Sequence, residues 1–126
     1  MEKLDVIVIE DNKNMKESIL QLLNGAELKT EAVSNYEDFK NLLKSNCAGV
    51  YLFDCHFPII PDGNAEFNVK IAIEKVRKAH QNPKIILYSS TNGLKLYADI
   101  FKVDYMSKDE KALELLNKIK SLLKEP

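Results

Sequence analysis

Five short apolar segments alternate with five helix-like segments, and this alternation constrains the fold more than any other feature. Three of the segments are almost continuously apolar, as expected of strands covered on both faces, whereas residues 28–33 alternate in polarity and suit an edge strand. A strand–helix repeat of this kind predicts an α/β fold, a doubly wound parallel sheet between two layers of helices. The predicted strands are residues 6–9, 28–33, 49–53, 85–88 and 103–106.

The five intervening segments each carry apolar residues at helical spacing. Asn12 to Asn14 can cap the first helix, and Ser34 with Glu37 forms a possible capping box for the second. The predicted buried stripes are Met15, Ile19, Leu22 and Leu23; Phe39, Leu42 and Leu43; Val69, Ala72, Ile73 and Val76; Leu94, Ala98 and Phe101; and Ala112, Leu116, Ile119 and Leu123.

Composition excludes several classes of protein. The 126 residues suit one domain, and 45% hydrophobic and 29% charged residues are ordinary for a globular chain. A net charge of −1 does not favour nucleic-acid binding, and no apolar run is long enough to span a bilayer. The start Met-Glu-Lys-Leu-Asp lacks a signal peptide, and two cysteines, Cys47 and Cys55, make no disulfide framework. We therefore expect a cytoplasmic protein with no membrane partner.

Polar residues follow four of the predicted strands. They are Glu10 and Asp11 after the first, Asp54 after the third, Ser89 at the end of the fourth and Lys108 after the fifth. Taken singly, each has an ordinary explanation as a turn or capping acid, a loop hydroxyl or a solvated lysine. Because ligands bind at the carboxyl ends of the strands in such sheets, we expect all five to converge. A lysine just before the last helix also indicates an anion nearby, since the helix dipole disfavours a cation there.

Three carboxylates at one edge repel one another and would retain protons unless a cation intervened. Mg²⁺ is held by one or two carboxylates and leaves positions open to phosphate oxygens. Lys108 and Ser89 would supply a charge and a hydrogen bond to the same phosphate, and Asp54 is the natural nucleophile. The residues alone therefore indicate Mg²⁺-assisted phosphoryl transfer.

Several segments resemble the response-regulator receiver domain in order and spacing. They are Val-Ile-Val-Ile-Glu-Asp-Asn, Tyr-Leu-Phe-Asp with Pro58 four residues beyond, Lys-Ile-Ile-Leu-Tyr-Ser-Ser and Asp-Tyr-Met-Ser-Lys. The resemblance covers essentially all 126 residues, so we expect one receiver domain over residues 1–126 with no output domain. A stand-alone receiver is the preferred interpretation, and a fragment of a longer regulator is the alternative. The resemblance also implies the flavodoxin-like strand order 2-1-3-4-5.

The resemblance assigns Asp54 as the phosphoacceptor for a sensor histidine kinase or a histidine phosphotransfer protein. It implies that Asp11, Asp54 and the backbone carbonyl of His56 hold Mg²⁺, with Glu10 acting largely through water. The protein would thus be a two-component signalling switch that catalyses only its own phosphorylation and dephosphorylation.

The same resemblance assigns the residues that respond to phosphate. Ser89 and Lys108 would bind the phosphoryl group, and Tyr105 matches the aromatic switch position that moves inward with the serine. His56 and Thr91 occupy positions that tune dephosphorylation, and we hypothesise that the bulky His56 slows hydrolysis; a solvent-facing loop histidine is the alternative. A downstream target, or a weak dimer in place of a monomer, would use the fourth helix, fifth strand and fifth helix.

The chain departs from the family pattern in two places. The loop from Pro58 to Gly63 is one residue longer than the usual Pro-x-x-Asp-Gly, and Asp109 follows Lys108 where many receivers have proline. We expect the Lys108–Asp109 bond to be trans, since a cis non-proline bond costs about 3–4 kcal/mol. We expect Cys55 to be a packing residue, since an adjacent carboxylate disfavours its thiolate.

Three alternatives to the phosphorylated switch remain open. A pseudo-receiver would keep the fold and act through contacts without phosphorylation, as the altered loop and Lys-Asp pair suggest. A flavodoxin-like cofactor binder is disfavoured, because the acidic Glu10-Asp11-Asn12 replaces a phosphate-binding loop. A hydrolase with an aspartyl nucleophile is the third.

Overall fold

The computed structural model of this chain describes residues 2–90 and 94–125. The described part contains seven strands and five helices, which alternate apart from two very short strands that follow the third strand directly. The strands are β1 Glu2–Ile9, β2 Thr30–Val33, β3 Asn46–Phe53, β4 His56–Phe57, β5 Glu66–Phe67, β6 Ile85–Ser89 and β7 Asp104–Ser107. The helices are α1 Lys13–Gly25, α2 Tyr36–Leu42, α3 Val69–Ala79, α4 Leu94–Phe101 and α5 Ala112–Lys124.

The five longer strands form one parallel sheet in the order β2-β1-β3-β6-β7. This is the predicted order 2-1-3-4-5, counted over the five strands that the sequence indicates, and the predicted α/β fold is confirmed. Ile9 of β1 pairs with Phe53 of β3, and Ser89 of β6 pairs with Ser107 of β7. Phe53 pairs with Leu87, so β6 and β7 run two residues beyond β1 and β3, and the residues that follow the strands emerge at a single edge.

Two apolar cores lie on opposite faces of the sheet because side chains alternate along each strand. On β3, Tyr51 and Phe53 face the core beneath α2, α3 and α4, whereas Val50 and Leu52 face the core beneath α1 and α5. Phe39 of α2 packs edge-to-face on Phe53, with ring centroids 5.2 Å apart. Both rings are fully buried, and truncating either to alanine would cost about 3–5 kcal/mol.

The N-terminal caps of α1 and α2 differ in how well the sequence predicts them. Asn12 caps α1 as expected, since its Oδ1 accepts from Met15 N at 2.9 Å. The predicted Ser34 cap of α2 is wrong: Asn35 Oδ1 accepts from Asp38 N at 2.8 Å. Ser34 is engaged elsewhere, because its hydroxyl accepts from Lys16 Nζ at 2.6 Å.

The buried face of α5 is rotated from the predicted stripe. Leu115, Ile119 and Leu122 are the buried residues, whereas Leu116 and Leu123 are only half-buried and Ala112 is exposed. Both stripes share Ile119 and both have helical spacing, so periodicity alone does not distinguish them. The direction from which α5 approaches the sheet decides between them.

The segment after Asp54 contains an antiparallel hairpin that the sequence does not predict. Its two-residue strands, β4 and β5, pair His56 with Phe67 and Phe57 with Glu66. Strands this short leave no alternating pattern to detect. Asp62, in the connection between them, has a φ of 63°, a left-handed conformation that aspartate tolerates better than most residues.

Within residues 2–90 and 94–125, no helix combines the length and apolar character needed to cross a membrane. Both cysteines are free, with Cys55 buried in the core and Cys47 half-buried.

Candidate functional site

Three carboxylates meet at the carboxyl edge of the main sheet. Glu10 and Asp11 follow β1, Asp54 follows β3, and one carboxylate oxygen from each lies within 4.8 Å of the others. The register explains this, since Ile9 pairs with Phe53 and its carbonyl accepts from Asp54 N at 2.9 Å. Glu10 is almost fully buried at 2% exposure, whereas Asp11 is exposed. This is the only such acidic group in the described residues.

Lys108 reaches the same site from the end of β7. Its Nζ lies 2.6 Å from Glu10 Oε1 and 3.5 Å from Asp54 Oδ1, and its side chain is only 14% exposed. The backbone amide of Lys108 donates to Ser89 O at 3.0 Å, which continues the β6–β7 pairing to the lysine. The predicted convergence of these strand ends is present, with Lys108 closer to Glu10 than to Asp54.

Backbone amides next in sequence hold the buried carboxylates. Asp54 Oδ1 accepts from Cys55 N at 2.8 Å, and Glu10 Oε2 accepts from Asn12 N at 3.2 Å. Each carboxylate is thereby oriented by the turn that follows its own strand.

The site holds more negative charge than one lysine balances. Burial raises the pKa of Asp54 to about 6, with added contributions from a hydrogen bond to Glu10 and from the charge of Glu10. Burial also raises the pKa of Asp11, as does the charge of Asp54. Burial alone would lower the pKa of Lys108, but its hydrogen bond to Glu10 and the charges of Asp54 and Glu10 raise it. Carboxylates whose pKa values are raised by burial and by one another's charge are those that a divalent cation would stabilise.

The hairpin turns the His56 carbonyl away from its partner strand. Asn68 N donates to Cys55 O at 3.2 Å, so hydrogen-bonded pairs fall on Cys55 and Phe57 and not on His56. The His56 carbonyl, two residues after Asp54, is thus not used in the ladder. Oxygen donors from Asp11, Asp54 and this carbonyl are the chemistry that Mg²⁺ prefers, so these residues fit that ion.

Ser89 and Tyr105 lie beside one another at the same edge. Ser89 is 3% exposed at the end of β6, and the half-buried Tyr105 donates its hydroxyl to Ser89 O at 3.4 Å.

Burial raises the pKa of the Cys55 thiol to about 12, reinforced by the charge of Asp54, which fits the expected packing role. Thr91, the other predicted tuning residue, lies outside the described residues.

His56 is exposed, but its ring does not simply face solvent. It packs edge-on against Phe67 of β5, with ring centroids 5.3 Å apart. The role of His56 in dephosphorylation stays a prediction.

Two sets of hydrogen bonds hold the loop after Asp54, and the sequence predicts neither of them. Asn68 Nδ2 donates to Phe57 O at 2.7 Å and so joins the start of α3 to the hairpin. The amides of Tyr36 and Glu37 at the start of α2 donate to the carbonyls of Pro58 and Ile59, at 2.9 and 2.8 Å. An asparagine directly before the apolar stripe of α3 was the only available signal for the first contact. The second joins segments that no local pattern relates.

The Lys108–Asp109 bond is trans, as expected, since no cis peptide occurs in the described chain. An open cleft of about 520 Å³ lies beside Lys108 on the α1 side. The residues that line this cleft with Lys108 are Asn12, Asn14, Met15, Ser18 and Ser90.

No protein-family model matches this sequence, and no curated protein matches it either. Solved structures do match over nearly the whole chain. The receiver domain of HemR from Leptospira biflexa, in its non-phosphorylated form, is 16% identical with a TM-score of 0.80, covering 100% of this chain and 97% of that one. The receiver domain of a Francisella response regulator is 19% identical with a TM-score of 0.76, covering 96% and 97%.

A third match carries information about metal. The receiver domain of a sensor histidine kinase from Pseudomonas aeruginosa, solved with a magnesium ion in its active-site cleft, is 18% identical. Its TM-score is 0.78, with 98% of this chain and 99% of that chain covered. At such identities the likeness establishes the fold: this chain has the fold of response-regulator receiver domains, as its motifs predict.

Proposed function

We propose that this protein is a phosphorylation-dependent switch in two-component signalling, with Asp54 as its phosphoacceptor. The observation that carries the proposal is the cluster itself. Carboxylate oxygens of Glu10, Asp11 and Asp54 lie within 4.8 Å of one another, and Lys108 Nζ lies 3.5 Å from Asp54 Oδ1. The receiver fold supports a signalling role of this kind.

In the proposed reaction, an Asp54 carboxylate oxygen attacks the phosphorus of a phosphohistidine on a sensor kinase or phosphotransfer protein. A P–O bond forms, the P–N bond breaks, and its electron pair returns to the imidazole nitrogen of the donor. Asp54 is suited to this because its carboxylate is fixed by Cys55 N and lies beside the Lys108 ammonium. The protein would otherwise catalyse only the hydrolysis of its own acyl phosphate.

Asp11, Asp54 and the His56 carbonyl would hold Mg²⁺, with Glu10 contributing through water. When bound, the ion offsets negative charge on the carboxylates and on the phosphoryl oxygens. Lys108 neutralises a further phosphoryl oxygen, and Ser89 donates a hydrogen bond to another. The buried position of Lys108 strengthens that interaction because water screens it little.

Ser89 and Tyr105 would carry the change to a surface made of α4, β7 and α5. Their contact at 3.4 Å supports this, since it places the Tyr105 hydroxyl against the residue that would bind phosphate. Exposed Leu96 and Ile100 on α4 and Leu113 on α5 give that surface apolar character, suited to a downstream protein or a weak dimer. We place the protein in the cytoplasm, with no direct contact to nucleic acid.

Intact mass spectrometry after incubation with Mg²⁺ and acetyl phosphate tests the proposal. We expect one added phosphoryl group on wild type, none without Mg²⁺ and none on Asp54→Ala. Asp99→Ala, which removes an exposed carboxylate from α4, is the matched control and should be phosphorylated like wild type. Phosphorylation of Asp54→Ala at the wild-type level would overturn the assignment.

The second candidate is a pseudo-receiver that acts through protein contacts alone. The 2.6 Å Glu10–Lys108 pair favours it, because Lys108 is engaged by a residue other than the proposed phosphoacceptor. Absence of both Mg²⁺ binding and phosphoryl uptake would support this candidate. Mg²⁺ binding without uptake would lead to a panel of histidine kinases as donors, since some receivers refuse small donors.

A further inference from the structure

Four aromatic side chains form a continuous row from the loop after Asp54 to the end of α4. We call His56, Phe67, Tyr97 and Phe101 the aromatic row. His56 and Phe67 are 5.3 Å apart between ring centroids, Phe67 and Tyr97 5.0 Å, and Tyr97 and Phe101 4.5 Å. The first two contacts are edge-to-face and the third is stacked, and all three lie in the range where ring pairs attract.

At the hairpin end of the row, β5 has fewer supports than β4, since Glu66 and Phe67 are both exposed. Each strand of the hairpin contributes two residues, and the hairpin is not part of the main sheet. A two-stranded hairpin is marginal in isolation, so its position depends on contacts outside it. Phe67 is 41% exposed, yet its ring is held between His56 and Tyr97. Other links lie on the β4 side. Phe57 is buried in the core, Asn68 Nδ2 donates to Phe57 O at 2.7 Å, and the Pro58 and Ile59 carbonyls accept from amides of α2.

The α4 end of the row is anchored differently. Tyr97 is half-buried, and its buried hydroxyl has no hydrogen-bond partner among the described residues. Tyr97 therefore stabilises the row through the packing of its ring and not through a hydrogen bond of its hydroxyl. Phe101, the last residue of α4, accepts through its carbonyl from Arg77 of α3. The row thus connects β5, the exposed strand of the hairpin, to a helix end that is fixed to its neighbour.

We propose that Phe67 and Tyr97 are positioning residues that couple the His56 backbone, and with it the metal-facing carbonyl, to α4. This inference rests on the proposed function, because it assigns the His56 carbonyl to Mg²⁺. Movement of that carbonyl on metal binding or phosphorylation turns the hairpin, and the ring contacts transfer the movement to α4. This route is separate from the one through Ser89 and Tyr105. By linkage, loosening the row at α4 must weaken metal binding at the other end.

Two measurements on Tyr97→Leu test the coupling. Amide hydrogen exchange of metal-free protein should be faster at residues 55–57 and 66–68, where the hairpin loses its support. Calorimetric titration with Mg²⁺ should give a dissociation constant about threefold to tenfold higher than wild type. Tyr97→Phe keeps the ring and drops only an unpaired hydroxyl, so it should restore wild-type values in both measurements.

Two exposed apolar residues outside the row provide matched controls. Leu96→Ala alters the same helix and Ile60→Ala alters the hairpin connection, and neither should change exchange at the hairpin or Mg²⁺ affinity. Wild-type exchange at the hairpin in Tyr97→Leu would overturn the proposal, as would equal effects from Leu96→Ala. If wild type fails to bind Mg²⁺, the proposed function fails, and the metal-free exchange alone then decides whether hairpin and helix are coupled.

Discussion

The two edges of the main sheet carry similar side chains but use them in opposite ways. At the carboxyl edge, Glu10 and Asp54 are packed together, and Lys108 is the cation that contacts both. At the amino edge, the Lys84 ammonium donates to the Leu122 carbonyl at 2.6 Å and to the Glu125 carbonyl, so it caps the end of α5. Tyr51 Oη there accepts from Ala48 N at 3.1 Å.

The comparison shows which edge of the sheet would gain more stability from binding a ligand. Polar groups at the amino edge mostly find neutral or complementary partners, apart from His80 Nε2, which is buried with no partner in the described residues while its ring stacks on Tyr51. At the carboxyl edge the carboxylates repel one another and are kept together by the fold. An edge arranged in this way is less stable alone and gains most from a cation or phosphoryl group.

The largest effect is expected from removing the lysine at the carboxyl edge. Lys108→Met leaves the buried Glu10 without its cation, so we expect metal-free protein at pH 7 to lose about 3 kcal/mol of unfolding free energy. The double variant Glu10→Gln/Lys108→Met should recover most of the loss, because the most deeply buried carboxylate is then neutral and no longer repels Asp54. Urea denaturation measures both. Equal losses in the single and double variants would show that the pair does not hold the edge together.

The pH dependence of stability is the next effect in size. The folded pKa of Asp54, about 6, lies above its unfolded value of 3.8, so the folded state binds more protons between these values. Its stabilising contribution is complete below pH 3.8 and is lost as pH rises through about 6. In the absence of metal, we expect the loss of this contribution to lower the unfolding free energy by about 2–3 kcal/mol, measured by urea denaturation in EDTA.

Two controls isolate Asp54 in that measurement. Asp54→Asn should flatten most of the fall in stability above pH 4, leaving the smaller contribution of Asp11, whose pKa is also raised. With saturating Mg²⁺, the unfolding free energy of wild type should rise instead of fall as the pH increases to 7. A wild-type protein more stable at pH 7 than at pH 5 in EDTA contradicts the raised pKa.

The carboxyl edge was predictable from sequence because short continuous segments of the chain determine it. Apolar runs end at Ile9 and Phe53 and are followed at once by acids, and parallel strands bring their carboxyl ends to one edge. Lys108 follows the last strand in the same way. Strand order and the acidic cluster therefore needed only local patterns and a topological rule.

What the sequence could not supply depends on contacts between distant segments. The preference of Lys108 for Glu10 over Asp54 is set by side-chain reach across the packed sheet. The β4–β5 hairpin is too short to leave a pattern, and the rotated face of α5 is chosen by docking angle. The cap of α2 by Asn35 was not predicted, because the adjacent Ser34 is equally suited to capping.

At the amino edge a lysine substitution is expected to cost less. Lys84→Met removes the two hydrogen bonds to the end of α5 but leaves no buried charge, so we expect a loss of about 1 kcal/mol. Hydrogen exchange should increase in the last turn of α5. Lys120→Met, an exposed lysine of the same helix, should change neither quantity. A loss as large as that of Lys108→Met would remove the distinction between the two edges.

The smallest effect is expected from Gly49→Ala, in the cavity of about 620 Å³ at the amino edge. The added Cβ would lie 2.5 Å from Leu123 Cδ2, the far end of a flexible, half-buried side chain, and 3.4 Å from Asp5 O. Leu123 can turn into the cavity, and alanine restricts the unfolded chain, so the two effects should nearly cancel within about 0.5 kcal/mol. A loss above about 2 kcal/mol by urea denaturation, relieved by Leu123→Ala, would mean that this edge is as tightly determined as the carboxyl edge. The contrast between the edges would then lie in charge alone and not in packing.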